Sequence, residues 1–154
     1  MTVRVWTLEI PSPHKMLSAN GNKPWQETSA AKREWRAAAH IWAQKARLPR
    51  GLDRVRVDIE LHFTARRARR DAPNYHPYVC KPIVDALAAS RRVRDSRQPS
   101  GWRIEPGYGL IPDDTEAHLD GPHPTIADEP ADRRKYPLGL AIVTITDLSG
   151  GIDA

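Results

Sequence analysis

Residues 54–63, RVRVDIELHF, constrain the fold more than any other stretch. Val55, Val57, Ile59, Leu61 and Phe63 alternate with Arg56, Asp58, Glu60 and His62. Successive side chains on a strand point to opposite faces, so this pattern predicts a strand with one buried and one polar face. Its apolar side must be covered by another layer. Two further runs can extend it into a sheet. Residues 3–10 place Val3 and Val5 on one face and Trp6, Leu8 and Ile10 on the other, and Pro11 and Pro13 close the run. Residues 138–148 set Leu140 and Ile142 against Ala141, Val143 and Ile145.

Helical periodicity supplies the covering layer. In residues 28–47, Trp35, Ala38, Ala39, Trp42 and Ala46 recur at helical spacing, while Lys32, Arg33, Arg36 and Lys45 take other faces. Thr28 or Ser29 can cap the start, and Pro49 with Gly51 marks the end. A second helix is expected over residues 75–89, with Val79, Ile83, Ala86 and Leu87 as its apolar stripe. Asn74, Tyr78, Lys81 and Asp85 would share another face. Pro82 lacks an amide proton and crowds the carbonyl of Tyr78, so this helix either bends there or properly begins there. Residues 90–107 have no periodicity and read as an exposed loop insert. Residues 120–137 read as a proline-rich connection with a short strand near 124–127. The expected fold class is α/β (α+β). One domain over residues 1–154 would hold a small mixed sheet, with two main helices on one side, in the order β-α-β-α-(β)-β.

Composition narrows the class of partner. With 24 basic against 19 acidic residues the net charge is +5. That suits a polyanionic partner, and equally a merely soluble basic surface. The single cysteine, Cys80, rules out an internal disulfide and points to a reducing cytoplasm. His76 and Cys80 are four residues apart, but two ligands do not close a tetrahedral zinc site, and Cys80 reads as a small buried hydrophobe. No apolar run approaches the ~20 residues that span a bilayer, and residues 1–13 lack the apolar core of a signal peptide.

Four acids carry the chemical interest: Asp71, Asp85, Asp113 and Asp114. One at a strand end, one on a helix face and an adjacent pair in a loop make a candidate oxygen cage for a hard cation. Each has a plainer reading. Asp113 and Asp114 suit a turn or a helix cap, Asp85 can pair with Lys81 one turn back, and Asp71 can cap a helix or pair with Arg70. Arg66, Arg67, Arg69 and Arg70 crowd beside Asp71 and suit phosphate contact, or a solvated basic loop. Lys81 beside a metal would stabilise charge growing on phosphate. The residues alone suggest a metal-dependent phosphodiesterase.

The succession "RRD…N……K…VDAL" followed by "GLIPDD" resembles the RusA family of Holliday junction resolvases, found in phages and prophages. The amino-terminal pattern is similar too: a strand, prolines, the loop LSANGNKPW and the basic helix AAKREWRAAA. The resemblance implies a small homodimer that binds four-way DNA junctions and nicks two strands symmetrically. Its implied cofactor is magnesium (manganese as a substitute) held by aspartates, with no organic cofactor. It implies catalytic roles for Asp71, Lys81, Asp85, Asp113 and Asp114, with the four aspartates as metal ligands. Arg66, Arg67, Arg69, Arg70 and Asn74, with Lys32, Arg33 and Arg36 of the first helix, would bind DNA. The setting would be the cytoplasm of a bacterial host, with no membrane partner. Where better-known bacterial members carry a second aspartate directly before the asparagine, this chain has Pro73. That departure motivates an alternative: a branched-DNA-binding protein with reduced or lost cleavage. An RNA-binding accessory protein is a third reading.

Overall fold

A computed structural model describes residues 2–65 and 69–150. The described residues form a mixed α+β fold of six strands and two main helices. In order they are β1 (Val5–Pro11), α1 (Trp25–Lys45), β2 (Val55–His62), α2 (Lys81–Leu87), β3 (Ala89–Arg94), β4 (Trp102–Tyr108), β5 (Leu119–Ile126) and β6 (Leu140–Asp147). Four strands form one sheet in the order β1-β6-β2-β5. β6 runs antiparallel to both β1 and β2, while β5 runs parallel to β2.

The alternation in β2 sorts as its sequence dictates. Val55, Val57, Ile59 and Leu61 are buried, and Arg56 and Glu60 are exposed. On β1 the buried face carries Leu8 and Ile10, with Val3 and Val5 turned outward. On β6 it carries Ala141, Val143 and Ile145. These residues form one core with Trp35, Ala39 and Ala43 of α1 and with Ile83, Val84 and Leu87 of α2. Both helices therefore cover the same face of the sheet. The prolines of β5, Pro122 and Pro124, sit on an edge strand, where a missing amide donor costs no ladder bond.

Four expectations need correction. First, α1 starts at Trp25 directly after Pro24, without a side-chain cap. Thr28 lies inside the first turn and donates its hydroxyl to the Trp25 carbonyl at 3.1 Å. Second, the helix expected over residues 75–89 is α-helical only over Lys81–Leu87, in agreement with the reading that it properly begins near Pro82. A 3-10 turn over Ala72–Tyr75 leads into a π turn over His76–Cys80, and the α-helix proper begins at Lys81. The Lys81 amide donates to the His76 carbonyl five residues back, so Pro82 falls in a first turn, where its lost donor is not needed. Third, residues 90–107 are not a loop. Residues 90–94 and 102–107 lie in β3 and β4, which pair antiparallel as a separate two-stranded hairpin joined by a turn at 95–101. Fourth, the strand near 124–127 is longer than expected and begins at Leu119.

Cys80 lies fully buried in the core and is a free thiol. Burial pushes its pKa up to about 12, because the thiolate would have to form away from water. His76 is exposed, so the two do not form a ligand pair. A thiol-reactive alkylating agent is expected to leave Cys80 unmodified in the folded protein and to react fully in denaturant; mass spectrometry reads the difference. Among the described residues no helix is long and apolar enough to cross a membrane.

Candidate active site

Lys81 and Asp85 stand one turn apart on α2, and the Lys81 ammonium donates to Asp85 Oδ1 at 2.6 Å. A second carboxylate reaches the same ammonium from far along the chain. Asp114 Oδ2 also accepts from Lys81 Nζ. The segment that carries it is tied to the end of α2 by its backbone. The Leu110 amide donates to the Leu87 carbonyl at 2.9 Å, and the Ala89 amide donates to the Ile111 carbonyl at 3.0 Å. The buried side chains of Leu110 and Ile111 anchor it. Two carboxylates separated by 29 positions in sequence, Asp85 and Asp114, thus meet around one cation.

The electrostatics follow from that geometry. Partial burial pulls the Lys81 ammonium down, but its hydrogen bonds to Asp114 and Asp85, and the charges of both, outweigh this and hold its pKa above the usual 10.5. The hydrogen bond from Lys81 holds Asp114 below the usual 3.8, against the opposing effect of burial. A raised lysine stabilises the fold below its unfolded pKa and loses that contribution as pH rises through the folded value. A lowered aspartate stabilises above its unfolded pKa and loses that contribution as pH falls through the folded value. The Lys81–Asp114 contact should therefore contribute fully between about pH 5 and pH 9. In denaturant titrations, the stability gap between the protein and an Asp114→Asn variant is expected to be flat across that window and to close below pH 4.

The other predicted ligands do not join this pair. Asp113 turns away: its Oδ1 accepts the Thr115 amide at 2.9 Å and the Thr115 hydroxyl at 2.5 Å. Those two bonds hold its pKa below the usual range. Asp71 is exposed and precedes the 3-10 turn, where its carbonyl accepts the Asn74 amide at 3.0 Å and its side chain makes no cap. Among the described residues, no three His, Cys, Asp or Glu side chains form a group that could hold a metal ion. Asp71, Asp85, Asp113 and Asp114 are therefore not gathered into one four-carboxylate cage. The structure converges Asp85 and Asp114 alone. The cation that both carboxylates contact in this structure is the Lys81 ammonium.

The expected DNA contacts divide. Arg66 and Arg67 lie outside the described residues. Arg69 is exposed. Arg70 turns inward, donating to the Ala65 carbonyl at 2.9 Å with its guanidinium 3.8 Å from the Phe63 ring centroid. Asn74 is half-buried, and its carbonyl accepts the Ala19 amide at 2.7 Å. Lys32, Arg33 and Arg36 do share a surface: they line a groove of about 1180 Å³ between α1 and the β3–β4 hairpin. Lys32 also lies 5.6 Å from the ring centroid of Tyr78, in the turn before Lys81.

Sequence reading missed the far wall of that groove, which is built by Asp95, Arg97, Arg103 and Glu105 of the hairpin. The Ser100-Gly101 dipeptide is a turn signal that could have found it. The apolar alternation that reveals β2 has no counterpart in the arginine-rich β3.

Against known proteins, no family model matches this chain, and no curated protein matches it.

Proposed function

We propose that this protein is a magnesium-dependent endonuclease that cuts branched DNA, four-way junctions above all. The observation that carries the reading is the meeting of Asp85 and Asp114 at Lys81, beside a basic helix face. The likeness of its motifs to RusA resolvases supplies the substrate class. Asp85 and Asp114 would hold the cation, which when bound supplies Lewis acidity toward a phosphoryl oxygen. Lys81 is held within reach of both carboxylates and can donate to the phosphate as negative charge grows on it. Asp71 and Asp113, which the resemblance implies as further ligands, stand apart from the pair in this structure and would have to move to join it. Lys32, Arg33 and Arg36 would take the phosphates of a DNA arm, with Arg69, Asn74 and the inward-turned Arg70 nearer the strand end. A homodimer suits the chemistry, because a two-fold junction presents two equivalent phosphates and a two-fold protein presents two sites. The setting would be a bacterial cytoplasm, with a host or phage gene equally suited.

A second reading has its own support. Among the described residues only two carboxylates meet at Lys81, and Pro73 stands in the 3-10 turn where the resembled family carries an acid. On that reading the protein binds junctions without cutting them. Purified protein incubated with a labelled four-way junction decides between the two. Symmetric nicks that require magnesium and vanish with a chelator are expected. A shifted but intact junction at every magnesium concentration would leave the binding protein in place of the nuclease.

A further inference from the structure

The groove between α1 and the hairpin has a construction that the carboxylate pair does not explain. Five cationic side chains line it: Lys32, Arg33, Arg36, Arg97 and Arg103. Its two acids, Asp95 and Glu105, are buried. With Ser12 they are the buried polar side chains among the described residues. Both acids line the groove and are paired with its arginines. Arg97 donates to both oxygens of Asp95, at 3.1 and 3.3 Å, while its own side chain remains 82% exposed. Arg103 spans Asp95 at 3.3 Å and Glu105 at 3.4 Å. Glu105 also pairs with Arg36 across the groove and with Arg91 at 3.2 Å.

This arrangement positions guanidiniums. A guanidinium has five N–H donors, so a carboxylate paired with it leaves others directed outward. An arginine already held in place loses less entropy when it takes a phosphate. The rim adds an aromatic surface. Trp25 at the start of α1 is 71% exposed and lines the groove. Fixed cations along a groove with an exposed aromatic at its mouth suit a single nucleic-acid strand, whose phosphates meet the cations while its bases stack.

We propose that the groove between α1 and the β3–β4 hairpin seats an unpaired DNA strand, with Arg97 and Arg103 taking successive phosphates and Trp25 stacking a base. DNA as the occupant rests on the function proposed above; the seat itself does not depend on cleavage. It gives the protein a grip on the unpaired strand at a branch point, separate from Lys81, Asp85 and Asp114.

The test is fluorescence anisotropy with a labelled single-stranded DNA oligonucleotide, titrated over a range of salt, with junction nicking assayed in parallel. Arg97→Ala leaves Asp95 its Arg103 partner, and Trp25→Ala removes an exposed ring, so both variants should fold. Arg97→Ala is expected to weaken binding about tenfold and to lower the logarithmic salt slope by about 0.7, the value for one phosphate contact on a single strand. Trp25→Ala is expected to weaken binding by about fivefold or more. Lys135→Ala removes the same charge from an exposed segment outside the groove and should change neither. Unchanged binding in Arg97→Ala and Trp25→Ala, or an equal loss in Lys135→Ala, would overturn the proposal. So would a Trp25→Ala variant that keeps its DNA affinity but changes sedimentation, since the groove would then be a contact between protein chains. Wild-type nicking with unaffected groove variants would sink this seat alone. Loss of binding in the groove variants of a protein that never nicks would sink the nuclease alone.

Discussion

Asp85→Asn and Asp114→Asn are each expected to reduce magnesium-dependent nicking of a four-way junction by about a hundredfold or more. Each substitution is close to isosteric and leaves Lys81 one charged partner, so the fold should persist. Junction affinity without magnesium should hold or rise, because a negative charge near the DNA has gone. The measurement is a single-turnover nicking rate beside a binding isotherm for each variant. Nicking at the wild-type rate in both variants would remove the carboxylate pair from the mechanism. Asp113→Asn and Asp71→Asn should cost less, since neither side chain joins the pair. An equal loss in Asp71→Asn would show that it joins the ligand set once DNA is bound.

Gly107→Ala is expected to destabilise the protein by about 3 kcal/mol, within the range for forcing an atom into filled space. A Cβ at position 107 would lie 2.8 Å from the carbonyl carbon and 2.9 Å from the oxygen of Ala89, and closer still to the Ala88 oxygen. These are backbone atoms and cannot swing aside. For a chain of this length the melting temperature should fall by roughly 6–12 °C. The place of the clash matters as much as its size. Gly107 lies where β4 meets the end of α2, and the segment carrying Asp114 leaves from there. Nicking should therefore fall by more than the loss of folded protein accounts for, at temperatures where circular dichroism shows the variant still folded. A melting temperature unchanged by the substitution would mean that the hairpin does not dock at Gly107.

The parts of the fold that were legible in advance are those whose period depends on burial against one face. β2 announced itself because every second residue is buried. α1 did so because Trp35, Ala38, Ala39, Trp42 and Ala46 recur at helical spacing, although the buried line runs through Ala31, Trp35, Ala39 and Ala43 and leaves Ala46 exposed. The hairpin was missed because β3 and β4 lie largely open to solvent. Arginines fill β3, and Pro106 and Gly107 interrupt β4, so no apolar alternation records the pairing. The break at Pro82 was visible as a conflict, but its resolution through a π turn was not, because that depends on which carbonyl the Lys81 amide can reach.

The site divides in the same way. Sequence alone determined the candidate residue types and the Lys81–Asp85 pair, because side chains four positions apart on one helix are neighbours wherever that helix lies. Whether Asp71, Asp113 or Asp114 completed the pair was decided only by the tertiary structure. Asp113 and Asp114 are adjacent, yet one bonds to Thr115 and the other to Lys81. The register of Leu110 and Ile111 against the end of α2 makes that choice, and no local pattern encodes it. The carboxylates paired with the groove arginines are decided the same way: Glu105 and Arg36 are far apart in the chain and meet only because the hairpin folds against α1.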